Sequence, residues 1–103
     1  MSGTQTAARR NATATLTAST VDLVFIQDAH TKITVVNDTG TSAIWFTVSR
    51  PGGTNPVPTV NGNECFTLPA AIGSVDVRHN GFGGAIVQLI SAGTPQYTVS
   101  VTE

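Results

Sequence analysis

The side chains that could take part in acid–base or nucleophilic chemistry are few and lie far apart in the sequence. His30 and His79 each have an aspartate within three positions, Asp28 and Asp76 respectively. A catalytic dyad also needs a nucleophile, but no serine lies in a strand-to-helix elbow pattern, and Cys65 has no basic neighbour. We therefore interpret both histidines as turn or surface residues, and we predict that the protein is not an enzyme.

Recognisable metal and cofactor motifs are also missing from the sequence. The carboxylates are scattered singly, whereas calcium needs several oxygens that converge from a short loop. Cys65 is the lone cysteine, so an intrachain disulfide and a zinc-type Cys/His set are both excluded. Residues 81–84 are glycine-rich, but Ile86 breaks the dinucleotide-binding spacing and no helical pattern follows, so we interpret them as a hairpin loop. The sequence predicts no cofactor and no metal.

The amino-acid composition restricts the kinds of molecule that the protein could bind. Only 11% of the 103 residues are charged and the net charge is −1, whereas about 25% are charged in a typical soluble domain. The charge balance does not predict a positively charged patch that could bind nucleic acid. No apolar run is long enough to cross a membrane. Threonine and serine fill the polar positions instead, which suits strands and leaves a surface that costs little to desolvate against a partner.

Apolar and polar residues alternate with a period of two through most of the chain, and no helical period is sustained. Turn residues interrupt this alternation about every eight to twelve positions. The pattern predicts an all-β fold: an antiparallel β-sandwich, jelly-roll or Ig-like, of about eight short strands in a single domain over residues 12–103. The side chains expected to be largely buried are Leu23, Phe25, Ile44, Phe46, Val75, Val77, Val87, Leu89, Tyr97 and Val99.

The strongest local prediction is a hairpin over residues 33–48. Two runs of β-branched and aromatic residues flank a polar turn, in which Asp38 can bond its own backbone and Gly40 can adopt a positive φ. The second run carries the only tryptophan, Trp45, on the face opposite Phe46. Trp45 either covers the second side of a central strand, or it is a platform for a sugar or a subunit interface.

Two irregular segments are candidates for contact with a partner. Residues 1–11 are polar, and we interpret them as a flexible arm whose arginines either stay solvated or order on a neighbouring subunit. Residues 50–58 contain three prolines, which excludes a central strand and stiffens the segment for docking. A type I′ turn is predicted at Asn61-Gly62, and the aromatic ring in loop 81–84 either folds back or contacts a partner. The candidate interface residues are Arg9, Arg10, Trp45, Arg50, Pro51, Pro56, Pro58 and Phe82.

Four stretches of the sequence resemble small all-β structural proteins of tailed bacteriophages, which are encoded among virion genes. The stretches are ITVVN (33–37), IWFTV (44–48), FTLPA (66–70) and VQLISAGTPQYTV (87–99). The resemblance covers residues 20–101 and leaves out the arm. Its motifs are strand patterns and turns, not chemical signatures.

The resemblance implies a non-enzymatic capsid decoration protein that stabilises the outer shell by bridging subunits of major capsid protein. It implies a virion location on the capsid surface after assembly in the host cytoplasm, which agrees with the absence of a signal-peptide pattern in residues 1–11. We expect a homo-oligomer, with a trimer as the first hypothesis, and no nucleic acid or membrane partner. The alternative is a carbohydrate- or receptor-binding module of a phage tail, with Trp45 and Phe82 as stacking platforms.

Overall fold

The computed structural model describes residues 5–27, 32–49, 57–62, 65–78 and 84–101, and within those ranges the secondary structure is all β. The predicted all-β fold is therefore confirmed. No helix in these ranges is long and apolar enough to cross a membrane. The strands are β1 (Gln5–Ala8), β2 (Asn11–Thr15), β3 (Asp22–Ile26), β4 (Lys32–Asn37), β5 (Ile44–Ser49), β6 (Phe66–Leu68), β7 (Gly73–Arg78), β8 (Ala85–Ile90) and β9 (Gln96–Val101).

These strands form two packed sheets with nested pairing. The five-stranded sheet has the order β1-β3-β8-β5-β6 and the four-stranded sheet the order β2-β9-β4-β7. Antiparallel pairs join β2 with β9, β3 with β8, β4 with β7 and β5 with β6, as in one long hairpin whose tip lies between β5 and β6. Folding that long hairpin over also pairs β4 with β9 and β5 with β8. This is the jelly-roll arrangement, one of the two topologies that the sequence left open.

The segment between β4 and β5 corrects the predicted hairpin over residues 33–48. These two strands lie in different sheets and do not pair with each other. Asn37, which is 0% exposed, donates through Nδ2 to the carbonyls of Ser42 and Pro69 at 2.9 and 3.1 Å. Its Oδ1 accepts a hydrogen bond from the N–H of Gly40 at 3.0 Å, and Gly40 has the predicted positive φ, 68°. The buried amide therefore fixes an arch between the two layers instead of a hairpin turn.

Two other turn predictions also change. Loop 80–84 does not join a hairpin, because β7 and β8 lie in different sheets. At the predicted type I′ turn, the N–H of Gly62 donates to the carbonyl of Thr59 at 2.9 Å, and Asn61 has a φ of 59°. Asn61 is thus the third residue of the turn, where a type II turn requires a positive φ. A turn is present, but it is centred one residue earlier and has the type II form.

The core lies between the sheets and takes alternate residues from the strands. Two predicted core residues, Leu23 and Phe25, are only half-buried, because Asp22, Val24 and Ile26 occupy the inner face of β3. Val75 is also half-buried, since β7 is an edge strand. The other predicted core residues are buried. The largest fully buried side chains of the described residues are Leu16, Val24, Ile26, Ile33, Val35, Ile44, Phe46, Leu68, Val87, Leu89, Tyr97 and Val99.

Most of the described part of the predicted arm is extended strand. Residues Gln5–Ala8 form β1, which pairs in parallel with β3, and β2 begins at Asn11. The N–H of Gln27 donates to the carbonyl of Ala8, and the N–H of Val101 to that of Arg10, each at 2.8 Å. The flexible-arm prediction is therefore wrong for residues 5–11, because the backbone edge of β3 offers hydrogen-bonding partners that no side-chain pattern reveals. Residues 1–4 lie outside the described ranges.

Candidate docking face

The five-stranded sheet has a second face, turned away from the core. Register pairs Trp45 with Ile90 and Phe25 with Ile86, and the partners of each pair point to the same side. We call this surface the outer apolar face. Its described members are Gln5, Ala7, Leu23, Phe25, Trp45, Thr47, Ser49, Thr67, Ile86, Gln88 and Ile90. None of these side chains is charged, which is unusual for a surface that no described strand covers.

Burial is greatest in the middle of the outer apolar face. Leu23, Phe25 and Trp45 are half-buried. Thr47 and Gln88 are register partners in the central strands of the sheet, and they are only 4% and 7% exposed. The middle of the outer apolar face therefore has little exposure to solvent, although it lies on the outer side of the sandwich.

The sequence of β3 indicates this face through its apolar residues, but sequence reasoning assigned two of them to the core. β3 has apolar residues on both sides, and we predicted that Leu23 and Phe25 are its buried residues. In the structure the core covers only the side of Val24 and Ile26, and Leu23 and Phe25 lie on the outer apolar face. Sequence reasoning thus assigned these two residues to the core and did not identify them as surface residues.

The four-stranded sheet turns a different surface outward, which we call the hydroxyl outer face. The Thr13 and Thr98 hydroxyls lie 2.8 Å apart, and that of Thr98 donates to Asp38 Oδ2 at 2.6 Å. The Thr34 hydroxyl donates to Asp76 Oδ1 at 2.6 Å. Hydrogen bonds within this face therefore satisfy many of its own polar groups. Its described members are Asn11, Thr13, Thr15, Lys32, Thr34, Val36, Ser74, Asp76, Arg78, Gln96, Thr98 and Ser100.

A buried pair of ionisable side chains links the two sheets through the core. The Tyr97 hydroxyl, from β9, donates to Asp22 Oδ2, from β3, at 3.0 Å, and the two residues are 0% and 1% exposed. Burial raises the pKa of Tyr97 above its usual value, and the neighbouring Asp22 charge and their hydrogen bond raise it further. The phenol is thus held as a neutral donor. Its role is to tie the layers together.

The structure does not bring the predicted interface residues together. Trp45 pairs with Ile90 at the carboxyl end of β8. Arg9 and Arg10 are exposed and follow β1, whose last residue lies level with the amino end of β8. The tryptophan and the arginine pair therefore lie at opposite ends of the same sheet.

The remaining predicted interface residues belong to the loops. Pro58 is buried, which does not favour a contact between its ring and a partner. The other predicted interface residues, Arg50, Pro51, Pro56 and Phe82, lie outside the described residues.

The remaining candidate chemistry is sparse in the part of the chain that the structure describes. No group of three or more His, Cys, Asp or Glu that could hold a metal ion occurs there. The Cys65 thiol lies 3.9 Å from the carbonyl of Thr59. Both histidines lie outside the described ranges.

No protein-family model and no curated protein matches the chain. Its fold is similar to that of solved β-sandwich domains. CBM_E1, a carbohydrate-binding module from a sugar cane soil metagenome solved with cellopentaose and gadolinium ion, has a TM-score of 0.60 and 9% identity over 95% of this chain and 91% of that chain.

Two further solved structures have the same general fold. PliG from Aeromonas hydrophila, a periplasmic inhibitor of g-type lysozyme, has a TM-score of 0.56 and 15% identity over 94% of this chain and 96% of that chain. The pre-peptidase C-terminal domain of collagenase from Bacillus anthracis has a TM-score of 0.54 and 12% identity over 94% and 91%. These likenesses show the fold alone: the chain is a small β-sandwich domain.

Proposed function

We propose that this protein is a non-enzymatic docking module that attaches to a protein surface through the outer apolar face. The observation that carries the proposal is an uncharged face bearing half-buried Trp45, Phe25 and Leu23 on the outside of the sandwich. The cores of protein interfaces are depleted in charge and enriched in aromatic residues, and tryptophan is a frequent energetic hot spot.

The size of the outer apolar face indicates what else the contact needs. Five strands span about 19 Å at ~4.8 Å per spacing, and six residues of strand extend about 20 Å, for a footprint of about 400 Å². A standard interface buries about 800 Å² on each partner. Neighbouring segments must therefore add contacts, and the exposed Arg9 and Arg10 at one end of this sheet are suited to carboxylates on the partner.

The finer proposal is that the partner is the shell of a tailed-bacteriophage particle, contacted at major capsid protein. Its support is the resemblance carried by residues 33–37, 44–48, 66–70 and 87–99, together with the low charged fraction of 11%. The jelly-roll arrangement also agrees with a virion role, since this architecture recurs in viral capsid proteins. The protein then decorates the capsid surface and stabilises it by bridging subunits.

Carbohydrate binding is the second candidate function, and the setting of Trp45 favours it. Trp45 is half-buried and lies opposite the exposed hydroxyl residue Thr67 on β6, an arrangement that suits stacking on a sugar. The fold likeness to CBM_E1 agrees with this candidate. Ile90 and Leu23 on the same face supply no hydrogen bonds to a glycan, however, so we place a protein partner first.

A pelleting assay with two targets tests the proposal. The full-length protein, Trp45→Ala and the control Thr98→Ala on the hydroxyl outer face are incubated with insoluble cellulose or with capsids. The capsids come from a tailed bacteriophage that encodes this sequence and are stripped of the protein. We expect the wild type and the control to pellet with capsids, and Trp45→Ala to bind about thirtyfold more weakly, as for a hot-spot truncation of about 2 kcal/mol.

The two targets separate the two candidate functions. Pelleting with cellulose that is lost in Trp45→Ala would establish the carbohydrate-binding candidate. Pelleting with neither target would contradict both. Capsid binding that Trp45→Ala leaves unchanged would show that docking does not use the outer apolar face.

A further inference from the structure

We propose that two copies of this protein associate through β7, so that the four-stranded sheet of one copy continues into that of the other. The contact is closed by two reciprocal ion pairs, Asp76 of each copy with Arg78 of the second copy. This surface is separate from the outer apolar face, because β7 belongs to the other sheet.

The first observation is the regularity of the β7 edge. Among the four edge strands of the described sheets, β7 has six residues, against four in β1, five in β2 and three in β6. It pairs with β4 over six consecutive register positions, and it contains no proline. Gly73, Ser74, Asp76 and Arg78 are exposed. A long and regular edge strand with exposed side chains is a template for pairing with another strand.

The second observation is the order of charges along β7. A two-fold axis perpendicular to the sheet makes the two copies of β7 antiparallel and keeps core-facing residues opposite core-facing residues. If the axis passes at Val77, Asp76 lies opposite Arg78 of the second copy, and Arg78 lies opposite Asp76. Opposite charges directly across a strand pair are stabilising. Residues 76–78 of β7 are therefore complementary to the same residues of a second copy.

The neighbouring registers lack this complementarity. An axis at Asp76 places the two copies of that carboxylate opposite each other, which is destabilising. An axis at Val75 places Asp76 opposite Ser74. In that register no charged residue of the second copy lies opposite Arg78. Charge therefore selects the register centred on Val77.

The third observation is the setting of these side chains within one copy. Arg78 lies opposite Lys32 of β4, a like-charged neighbour. Asp76 Oδ1 already accepts the Thr34 hydroxyl at 2.6 Å, which holds the carboxylate on the hydroxyl outer face. Pairing would bring a carboxylate of the second copy to Arg78 and offset its repulsion from Lys32.

Charge reversal with complementation tests this inference. Sedimentation velocity at low ionic strength, where screening is weak, is run on the full-length wild type, Asp76→Arg and Arg78→Asp. We expect the wild type to form a dimer, and each reversal to raise the dissociation constant by about tenfold or more, because both cross-strand pairs become like-charged. Asn11→Arg, on the same face at the other edge of the sheet, is the matched control and should leave the dimer intact.

Mixing the two variants gives the decisive result. The Asp76→Arg chain carries two arginines on the β7 edge and the Arg78→Asp chain carries two aspartates, so the equimolar mixture should restore the dimer. Circular dichroism checks that each variant is folded. The inference is overturned if the wild type stays monomeric or forms trimers, if the reversals leave its dimer intact, or if the mixture of folded variants stays monomeric.

Discussion

The two outward surfaces of this sandwich are built on the same period-two alternation, and yet their chemistry is opposite. The outer apolar face has no charged residue among its described members and carries Trp45 and Phe25. The hydroxyl outer face carries Lys32, Asp76 and Arg78, and Val36 is its one large apolar side chain in the described ranges. An antiparallel sheet commonly packs one face on the core and exposes a polar one. The hydroxyl outer face follows that pattern, and the outer apolar face departs from it.

The difference shows how each surface is stabilised. On the hydroxyl outer face, Thr13, Thr98 and Asp38 are connected by hydrogen bonds of 2.6 and 2.8 Å, so these polar groups are satisfied within the surface. On the outer apolar face, half-buried side chains keep apolar area in contact with water, at about 25 cal/mol per Å². Covering these side chains with a partner would release that free energy, which supports the proposed docking at this surface.

The largest expected effect separates the two sides of β5. Phe46 is 0% exposed and stacks on Phe66 with ring centroids 5.4 Å apart. Phe46→Ala should lower the free energy of unfolding by about 3–5 kcal/mol, because it removes a buried aromatic ring and leaves a cavity. Trp45→Ala should cost clearly less, since Trp45 lies on the outer side. Urea unfolding measures both, and equal losses would mean that Trp45 covers a second core and is not a docking residue.

The next effect concerns the link between the layers. Tyr97→Phe should lower the free energy of unfolding by about 1–3 kcal/mol, because Asp22 loses a buried hydrogen-bond donor. Urea unfolding at neutral pH measures the loss. A change near zero would show that the Tyr97–Asp22 hydrogen bond is not a significant tie between the sheets.

The same residue predicts an alkaline dependence. The pKa of Tyr97 is raised by burial and by Asp22, whereas an unfolded tyrosine titrates near pH ~10. Below that pH both states keep the proton and the contribution is complete. Above it the unfolded state loses the proton first, so the free energy of unfolding falls as pH rises. Tyr97→Phe should lack this fall.

The alkaline dependence can be observed directly, because Tyr97 is the only tyrosine in the chain. Absorbance of tyrosinate in the near ultraviolet should stay low in the folded protein at pH values where free tyrosine ionises. It should then rise together with unfolding. Ionisation near pH ~10 without unfolding would contradict the buried neutral phenol.

The smallest effect compares matched exchanges on the two outer faces. Thr98→Val keeps the branched shape but removes a hydroxyl, and Ile86→Thr makes the reverse kind of change on the outer apolar face. Each should change the free energy of unfolding by about 1 kcal/mol or less. Only Ile86→Thr should weaken capsid pelleting. Equal weakening by Thr98→Val would mean that the two faces do not differ in docking.

The alternation of apolar and polar residues predicted most of the strands and core residues, but it predicted less well which residues form the outer surfaces. Tyr97 and Val99 on β9 could be assigned to the core, because the other side of that strand is polar. β3 gave no such contrast: its two sides are both apolar, so alternation could not decide whether Phe25 or Val24 faced inward. The choice depends on which strands lie opposite, and this is set by contacts distant in sequence.

The pairing of strands was the part least accessible to sequence reasoning. The runs on either side of Gly40 have every local feature of a hairpin, yet the buried amide of Asn37 turns the chain into the other sheet. β1 was missed for a different reason. Its small residues Gln5–Ala8 carry almost no apolar signal, and the strand is held by backbone pairing to β3. Backbone partners leave no trace in side-chain patterns.

The most direct test of the docking face uses its own chromophore. Trp45 is the only tryptophan, so replacing it with 7-azatryptophan gives a fluorophore that can be excited selectively in the presence of capsid proteins. Acrylamide quenching is measured on the free protein and on protein bound to stripped capsids. We predict that binding markedly lowers the quenching constant, because the partner covers Trp45. An unchanged quenching constant in the capsid-bound protein would show that the ring stays open to solvent and that docking occurs elsewhere.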